Sequence, residues 1–169
     1  MIRLAQAADL GSINDIYNHY VLHSTCTYQE ERESPESRQA WFDRHGPRHP
    51  IIVAELDGRV VGWGALSPFH ARSAYRFTVE NSVYVDHQHH RSGIGDGILA
   101  DLIVRARTLD HRTIIAGIDA GQEASIAIHA KHGFVEVGHL VQVGYKFDRW
   151  LDVVYMQLMV TRGKAGPVH

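Results

Sequence analysis

Cysteine and long apolar segments are nearly missing from this sequence, and each shortage excludes a class of protein. Cys26 is the single cysteine among 169 residues, so an intrachain disulfide and a metal site made of cysteines alone are excluded. No apolar run approaches the ~20 residues of a membrane-spanning helix, and the first residues lack the pattern of a signal peptide. We therefore expect a cytoplasmic protein that makes no membrane contact.

A surplus of positive charge is missing as well. The formal net charge is −2, whereas a surface that coats nucleic acid needs clustered lysine and arginine, so we expect no nucleic-acid partner. Hydrophobic residues make up 44% of the chain and charged residues 21%, which is usual for a globular protein. The length suits one domain with a full core. We predict that this domain spans residues 1–160 and that residues 161–169 form a disordered tail.

Histidine is abundant, with thirteen in the chain. His87, His89 and His90 lie close together, but neither HExxH nor a similar metal-ligand spacing is present. Scatter over the surface and turns is the simpler interpretation, and we predict no metal.

Hydrophobic periodicity and turn signals predict a mixed α+β protein. Ser34 followed by Pro35 marks the start of a helix, and Asp57-Gly58 joins two apolar runs into a β-hairpin within residues 50–69. Further strands are predicted at residues 2–9, 75–85, 113–119, 134–140 and 151–160, and helices from Asp9 or Ser12 to about His23 and at 35–45, 93–109 and 123–132. This order indicates a mainly antiparallel sheet with one βαβ unit in its second half.

A glycine-rich turn connects the strand at 75–85 to the following helix. Gly93, Gly95 and Gly97 open that helix, where backbone N–H groups have no intrahelical partner and carry partial positive charge. Glycine allows a ligand to approach the backbone closely, and Arg91 adds a full positive charge. The turn therefore predicts a phosphate or pyrophosphate cradle, with a ligand-free glycine connection as the alternative.

Two common phosphate motifs do not fit this turn. A Walker A loop needs Lys-Ser or Lys-Thr after its last glycine, but Asp96 and Gly97 follow Gly95. The dinucleotide fingerprint needs a third glycine where this chain has Ile98. A nucleoside triphosphate and a nicotinamide cofactor are thus disfavoured.

The segment VYVDHQHHRSGIGDGILADLI, residues 83–103, resembles the coenzyme-A-binding motif of the GNAT N-acetyltransferase superfamily. Gly93 and Gly95 match its glycines, whereas His90 stands where the motif has glutamine or arginine. SIAIHAKHGF, residues 125–134, resembles the helix and Gly-Phe turn that close the coenzyme site. Further segments, among them YRFTVENSVYV, VGWGALSPF and VGYKFDRWLD, are similar to the phosphinothricin and methionine sulfone/sulfoximine acetyltransferase group over roughly residues 2–160.

This resemblance implies the GNAT acyl-CoA N-acyltransferase fold, in which a mixed, mostly antiparallel central sheet with splayed strands is flanked by helices. It also implies acetyl-CoA as cosubstrate, a small-molecule amine as the other substrate, and a homodimer whose contact lies near GYKFDRWLD, residues 144–152.

Glu80 is the predicted general base. Strand alternation places Phe77, Val79, Val83 and Val85 on one face and Thr78, Glu80, Ser82 and Tyr84 on the other. A carboxylate midway along such a strand is costly unless it is solvated or has a role, and an exposed surface glutamate is the alternative. Amines are largely protonated at neutral pH, so a base that removes the proton, here through a water, aids the reaction. The resemblance implies the same role.

His129 is the second predicted catalytic residue, and it shares a helix face with Ser125. Many relatives have a tyrosine there that protonates the leaving thiolate, and the phosphinothricin-like group has a histidine. The alternative is a purely structural histidine. Gln122 stands where the resembling pattern has an asparagine that binds pantetheine.

The remaining site predictions concern the two substrates. The resemblance assigns the pantetheine arm and the thioester carbonyl to backbone groups of the strand at Val83–Val85. The full coenzyme-binding prediction comprises Val83, Tyr84, Val85, Arg91, Ser92, Gly93, Ile94, Gly95, Asp96, Gln122 and Ser125. Because arginine can hold a carboxylate with two hydrogen bonds, the amine substrate is assigned to Arg72, Arg76 and Lys146, with Thr78 and Tyr28 in support; solvated surface charge is the alternative for each cation.

Three functions stay open. The first is an N-acetyltransferase for the α-amine of a small amino acid analogue such as phosphinothricin or methionine sulfoximine. The second is acetylation of another amine, such as a peptide N-terminus, a polyamine or an aminoglycoside. The third is a coenzyme-A-binding module without catalysis.

Overall fold

A computed structural model describes residues 1–160; the tail predicted at 161–169 lies outside the described residues. The strands are β1 (Ile2–Leu4), β2 (Ile51–Leu56), β3 (Arg59–Pro68), β4 (Thr78–Val85), β5 (Thr113–Asp119), β6 (Val135–Lys146) and β7 (Arg149–Met159). The helices are α1 (Leu10–His23), α2 (Pro35–Asp43), α3 (Ile94–Thr108) and α4 (Glu123–Lys131), with short 3₁₀ turns at Ala7–Asp9, Ser73–Tyr75 and His87–His89.

The strands form a seven-stranded sheet in the order β1-β2-β3-β4-β5-β7-β6. Every neighbouring pair is antiparallel except β4 and β5, which are parallel and are connected through α3. The predicted mainly antiparallel sheet with one βαβ unit is therefore confirmed.

The parallel pair β4–β5 is short. Only three residue pairs join the strands, from Thr78 with Thr113 to Glu80 with Ile115. Beyond them, β4 continues to Val85 and β5 to Asp119 without pairing to each other. The strands separate just after Glu80, and the wedge between them opens in the middle of the sheet.

Helix α3 covers one face of the sheet. Its buried residues are those of the apolar helix face, Ile98, Leu99, Leu102, Ile103 and Ala106. Gly64 on β3 lets the helix lie directly on the strand, since a Cβ there would come within 3.0 Å of the Leu102 side chain and of the Ser82 carbonyl oxygen. The larger hydrophobic core forms between α3 and the sheet.

The opposite face is covered by α1 and α2. Trp63 of β3 is buried there and stacks on Tyr84 of β4, with ring centroids 4.8 Å apart. Arg38 of α2 is buried against the rings of Tyr17 and Trp41, at 4.7 and 4.6 Å, so aromatic faces surround its charge. These aromatic rings therefore pack α1 and α2 against the sheet on the side opposite α3.

Local sequence signals predicted most helices, strands and turns at the positions where the structure has them. Ser34 caps α2 by accepting a hydrogen bond from the Ser37 amide at 3.1 Å, and Asp57-Gly58 forms the β2–β3 turn with positive φ at both residues. The first strand ends earlier than predicted, at Leu4, because the chain enters the Ala7–Asp9 turn. Phe77 is 42% exposed rather than part of the core face, because β4 begins only at Thr78.

The last hairpin is longer than the sequence pattern predicts. Strand β6 runs to Lys146 instead of residue 140, and it pairs with β7 up to a turn at Phe147 and Asp148, both with positive φ. Two register shifts, at 136–138 and 140–144, break the alternation of apolar and polar residues, so the sequence pattern does not indicate the full length of the strand. The turn residues Phe147 and Asp148 include no glycine, so the sequence did not indicate a hairpin there.

Strand β6 lies at the edge of the sheet and is mostly exposed. It contributes, with the turn and β7, an exposed apolar set that we call the hairpin surface: Val137, Leu140, Val141, Val143, Tyr145, Phe147 and Trp150. Val141 is 67% exposed and Trp150 is 61% exposed, which is unusual for large apolar side chains grouped on one edge. Within residues 1–160, none of the helices has the length and apolar character needed to cross a membrane.

Candidate active site

Two clefts meet where β4 and β5 separate. The first, of about 310 Å³, lies in the wedge and is bordered by β4, β5, α4 and the segment 25–28. The second, of about 460 Å³, runs between the end of β4, the start of α3 and α4. Both clefts are lined by Cys26, Val83, Tyr84, Gln122, Ser125 and His129. These shared walls make the two clefts one continuous groove.

The glycine turn lies at the second cleft. Gly93 precedes α3 with φ +79°, and the Gly97 amide donates the first helical hydrogen bond to the Gly93 carbonyl at 3.0 Å. The amides of Ile94, Gly95 and Asp96 therefore have no intrahelical acceptor. A Cβ on Gly95 would contact Val85 at 3.4 Å, so this glycine lies against the cleft wall.

Side chains around this turn are held by hydrogen bonds and ion pairs. The Asp96 carboxylate binds Lys131, the last residue of α4, and His132, the residue after it, at 2.9 Å each, which ties the end of α4 to the start of α3 and lowers the pKa of Asp96. The Tyr20 hydroxyl donates to the Val85 carbonyl and lies 2.6 Å from His90 Nε2. Arg91 has φ +61° and borders the second cleft.

Glu80 projects into the first cleft. Its Oε1 lies 3.5 Å from the position that a Cβ on Gly117 of β5 would occupy, so a glycine at that position leaves room for the carboxylate. Within residues 1–160, no hydrogen-bond or ion-pair partner is found for this carboxylate. Burial raises the pKa of Glu80, and nearby His70 opposes this rise. A half-buried, unpaired carboxylate with a raised pKa can take up a proton.

His129 stands at the junction of the two clefts and is 4% exposed. Its Nδ1 donates to the Ser125 carbonyl at 2.8 Å, and its Nε2 lies 2.9 Å from Asn81 Nδ2. The Phe134 ring packs edge-on at 4.9 Å. Burial lowers the pKa of His129, so the neutral ring is favoured near pH 7.

A carboxylate that the sequence analysis did not single out also borders the first cleft. Asp119, at the end of β5, lies 2.7 Å from the Tyr28 hydroxyl and accepts hydrogen bonds from Thr25 at 3.1 Å and from the Gly121 amide at 2.9 Å. Burial, followed by the neighbouring Asp119, raises the pKa of Tyr28. The network fixes the segment 25–28 against the end of β5.

The structure brings most predicted site residues together. Glu80, His129 and Tyr28 line the first cleft. The second cleft is lined by Val83, Tyr84, Val85, Arg91, Gly93, Ile94, Gly95, Asp96, Gln122 and Ser125. Ser92 lies in the same turn but is not part of the lining, and its hydroxyl donates to the His89 carbonyl.

The predicted cations lie elsewhere. Arg72 and Arg76 flank the exposed Ser73–Tyr75 turn, and the Arg76 guanidinium lies 4.6 Å from the Phe77 ring. Thr78 begins β4 outside the lining of either cleft. Lys146 is 2% exposed, and its ammonium donates to the carbonyls of Ser24 and Thr27 at 2.8 Å each. The first cleft of a single chain therefore carries two carboxylates, and no lysine or arginine is among its described lining residues.

Sequence reasoning missed Asn81, Asp119 and the segment 24–27. Asn81 shares strand parity with Val79 and Val83, so a polar residue in a core-facing register was an available signal. Asp119 ends a buried apolar strand, where side chains often form sites. Residues 24–27 carry no periodic pattern, and only the fold places Cys26 at the junction of the clefts.

Comparison with known proteins agrees with this arrangement. Residues 13–134 match the acetyltransferase (GNAT) family. The chain is 38% identical over 165 residues, 97% of its length and 96% of the relative's, to the L-methionine sulfoximine/L-methionine sulfone acetyltransferase of Salmonella typhimurium strain LT2.

Two crystal structures are similar over most of the chain. A GNAT superfamily phosphinothricin acetyltransferase from Sinorhizobium meliloti, in complex with AcCoA, has a TM-score of 0.94 at 37% identity, covering 99% of this chain and 91% of that one. A ribosomal-protein-alanine N-acetyltransferase from Brucella melitensis has a TM-score of 0.91 at 41% identity, covering 94% and 99%. The resemblance and the predicted fold are confirmed: the chain belongs to the acetyltransferase (GNAT) family.

Proposed function

We propose that this protein is an acetyl-CoA-dependent N-acetyltransferase that acetylates the α-amine of a small amino acid analogue such as phosphinothricin, methionine sulfoximine or methionine sulfone. The observation that carries the proposal is the continuous groove. A ligand whose phosphates lie at the glycine turn can extend past Gln122 and His129 into the wedge where Glu80 lies. The names of similar proteins support the same reaction. A cytoplasmic location is proposed with it, as suits a protein with a single cysteine.

The second cleft fits acetyl-CoA, which supplies the activated acetyl group. The free amides of Ile94, Gly95 and Asp96 and the charge of Arg91 suit a pyrophosphate. Val83–Val85 is left unpaired on its β5 side, so its backbone groups are available to the pantetheine arm and to the thioester carbonyl oxygen. Gln122, Ser125 and Ser92 complete the proposed coenzyme contacts.

Glu80 is proposed as the general base that removes the ammonium proton of the amine substrate through a water. Its raised pKa brings it closer to the amine's, and the absence of a described partner leaves it free to exchange a proton. Holding the amine beside the thioester supplies much of the remaining acceleration.

Arg72 and Arg76 flank a turn outside the described lining of the first cleft, and we propose that the amine's carboxylate extends out of the cleft to them, with Thr78 and Tyr28 in support. Lys146 uses two of its three N–H groups on backbone carbonyls, so we propose that it acts on the substrate through the segment it holds. A peptide N-terminus is a second candidate substrate, because the wedge of one chain holds the carboxylates of Glu80 and Asp119 and a similar structure is a ribosomal-protein-alanine N-acetyltransferase.

A homodimer that forms through the hairpin surface is part of the proposal. Its apolar side chains lie on an edge strand that offers unpaired backbone groups, a combination that proteins usually cover.

A thiol-release assay with acetyl-CoA tests the function. The amine panel contains methionine sulfoximine, phosphinothricin, a peptide with N-terminal alanine, spermidine and an aminoglycoside, and Glu80→Gln serves as the matched variant. Thiol release chiefly with the two amino acid analogues is expected. Release chiefly with the peptide would replace the substrate, and calorimetric binding of acetyl-CoA without release for any amine would indicate a non-catalytic module.

A further inference from the structure

Asn81 and His129 form a polar pair in a core-facing register. Asn81 lies on β4 between Val79 and Val83, and its Nδ2 is 2.9 Å from His129 Nε2 on α4. The Asn81 Oδ1 atom is buried, and no hydrogen-bond partner for it is found in the described part of the chain. An unpaired buried amide oxygen costs about 1–3 kcal/mol, so its retention needs an explanation.

The hydrogen bonds on the two ring nitrogens define the protonation of His129. The Ser125 carbonyl can only accept, so Nδ1 must carry a hydrogen. The Asn81 amide nitrogen can only donate, so Nε2 must be the bare nitrogen. Together the partners select the neutral ring with its proton on Nδ1.

The surroundings favour the same state. Burial lowers the pKa of His129; the hydrogen bond to the Ser125 carbonyl opposes this, and His132, the residue after α4, lowers the pKa further. The other titratable groups that line the same cleft are Cys26, Tyr28, Glu80, Tyr84, Asp119 and Tyr155. Asp96 is already paired with His132 and Lys131, so the described partners place no carboxylate against the His129 ring.

We propose that Asn81 is a positioning residue that holds His129 as the neutral, Nδ1-protonated ring, with Nε2 as a proton acceptor at the junction of the clefts. This inference rests on the proposed acetyltransferase function. It assigns His129 a role that follows that of Glu80. Glu80 takes the first proton of the ammonium group. As the C–N bond forms, the Asn81 N–H leaves the single lone pair of His129 Nε2 that it occupies in the resting site, and Nε2 takes the second proton. His129 then returns that proton to the coenzyme sulfur as the C–S bond breaks.

The second state of the pair accounts for the unpaired oxygen. Once Nε2 carries a proton, the Asn81 N–H can no longer donate a hydrogen bond to it. A half-turn of the Asn81 amide would then present Oδ1, which can accept that proton in a hydrogen bond. The amide thus has a matching atom for each charge state of the ring.

The test is long-range ¹⁵N–¹H NMR of the histidine rings in the full chain, with neither substrate present. The His129 signals are identified by their loss in His129→Gln. In the wild type, we expect the Nδ1–H tautomer at pH 7 and a titration midpoint below the ordinary 6.5. In Asn81→Asp, the carboxylate should protonate Nε2 and raise the midpoint by about 1 unit or more. Gln39→Glu, the same change of charge on the exposed face of α2, should leave the midpoint unchanged.

Activity gives a second readout. In Asn81→Asp, the acidic limb of the kcat profile should move to higher pH with the NMR midpoint, while the KM for acetyl-CoA stays the same. A purely structural role would instead lower kcat equally at every pH.

A wild-type ring with its proton on Nε2, or one charged at pH 7, overturns the inference even if the variant fails to fold. An unchanged midpoint in folded Asn81→Asp does the same. Failure of the wild type to release thiol would defeat the proposed function and its proton path, and the spectra would still decide how Asn81 holds the ring.

Discussion

At the scale of single residues, the site depends on side chains left without a local partner. Glu80 is the clearest case, because burial raises the pKa of a carboxylate for which no hydrogen-bond or ion-pair partner is found within residues 1–160. Ionised at neutral pH, such a group destabilises the fold, so its presence indicates a function rather than stability.

Replacing Glu80 by Gln should lower kcat/KM about 10²–10³-fold at pH values where the amine is protonated. The base is active once deprotonated, so the wild-type rate should rise with pH through the raised pKa of Glu80; this step should vanish in the variant, which keeps only the acidic step set by His129. The melting temperature should not fall, because the amide removes a buried charge. Steady-state rates from pH 5 to 9, with calorimetry of acetyl-CoA binding as the control, provide the check; an unchanged profile would remove Glu80 from the mechanism.

Gly95 permits a second prediction at this scale. A Cβ there meets Val85 at 3.4 Å, so Gly95→Ala should be tolerated, whereas Gly95→Leu should extend into the second cleft. We expect at least a ~10-fold higher KM for acetyl-CoA in Gly95→Leu, equivalent to about 1.4 kcal/mol of lost binding. If only the KM of the amine rose, the coenzyme would not lie at the glycine turn.

At the scale of elements, the β6–β7 hairpin positions the wall of the first cleft. Gly144 of β6 lies so close to the Tyr28 ring that a Cβ would overlap it. Lys146, two residues later, holds the segment 24–27 through two backbone carbonyls. The hairpin therefore sets where Tyr28 meets Asp119.

Gly144→Ala should displace the Tyr28 ring and break its hydrogen bond to Asp119. We expect about 1–3 kcal/mol lower stability and a raised KM for the amine, because overpacking forces side-chain and backbone shifts. Gly138→Ala on the same strand is the matched control, since nothing lies within 4 Å of its Cβ. Urea denaturation and amine kinetics of both variants give the measurement; equal behaviour of the two would mean that Gly144 does not support Tyr28.

The sequence was most informative where one local interaction decides the structure. Ser34, Asp57-Gly58 and the glycines at the start of α3 marked a cap, a hairpin turn and a helix start, and each lies where predicted. It was less informative where distant contacts decide. The burial of Lys146 depends on carbonyls about 120 positions away, and β6 is extended by its pairing to β7 rather than by its own alternation. Asn81 could not be paired with His129 before α4 was known to pack beside β4.

At the scale of the whole molecule, the exposed hairpin surface predicts self-association. Val141→Asp should place a charge in that surface and lower the sedimenting mass from twice that of one chain to that of one chain. Val104→Asp is the control, because Val104 is an exposed valine, at 58%, on α3 rather than on the hairpin. Analytical ultracentrifugation at micromolar concentration distinguishes the two; a wild-type monomer would refute the homodimer.

The short β4–β5 pairing has a consequence for the chain as a whole. In most sheets, neighbouring strands hydrogen-bond to each other along their shared length. Here β4 and β5 are joined by only three residue pairs, and beyond them the facing backbone amides and carbonyls have no partner on the neighbouring strand. Any extended ligand with alternating hydrogen-bond donors and acceptors can pair with these backbone groups as an additional strand would. The fold therefore keeps these backbone groups available for pairing, and a ligand bound between the strands should slow amide exchange along β4 and β5 together.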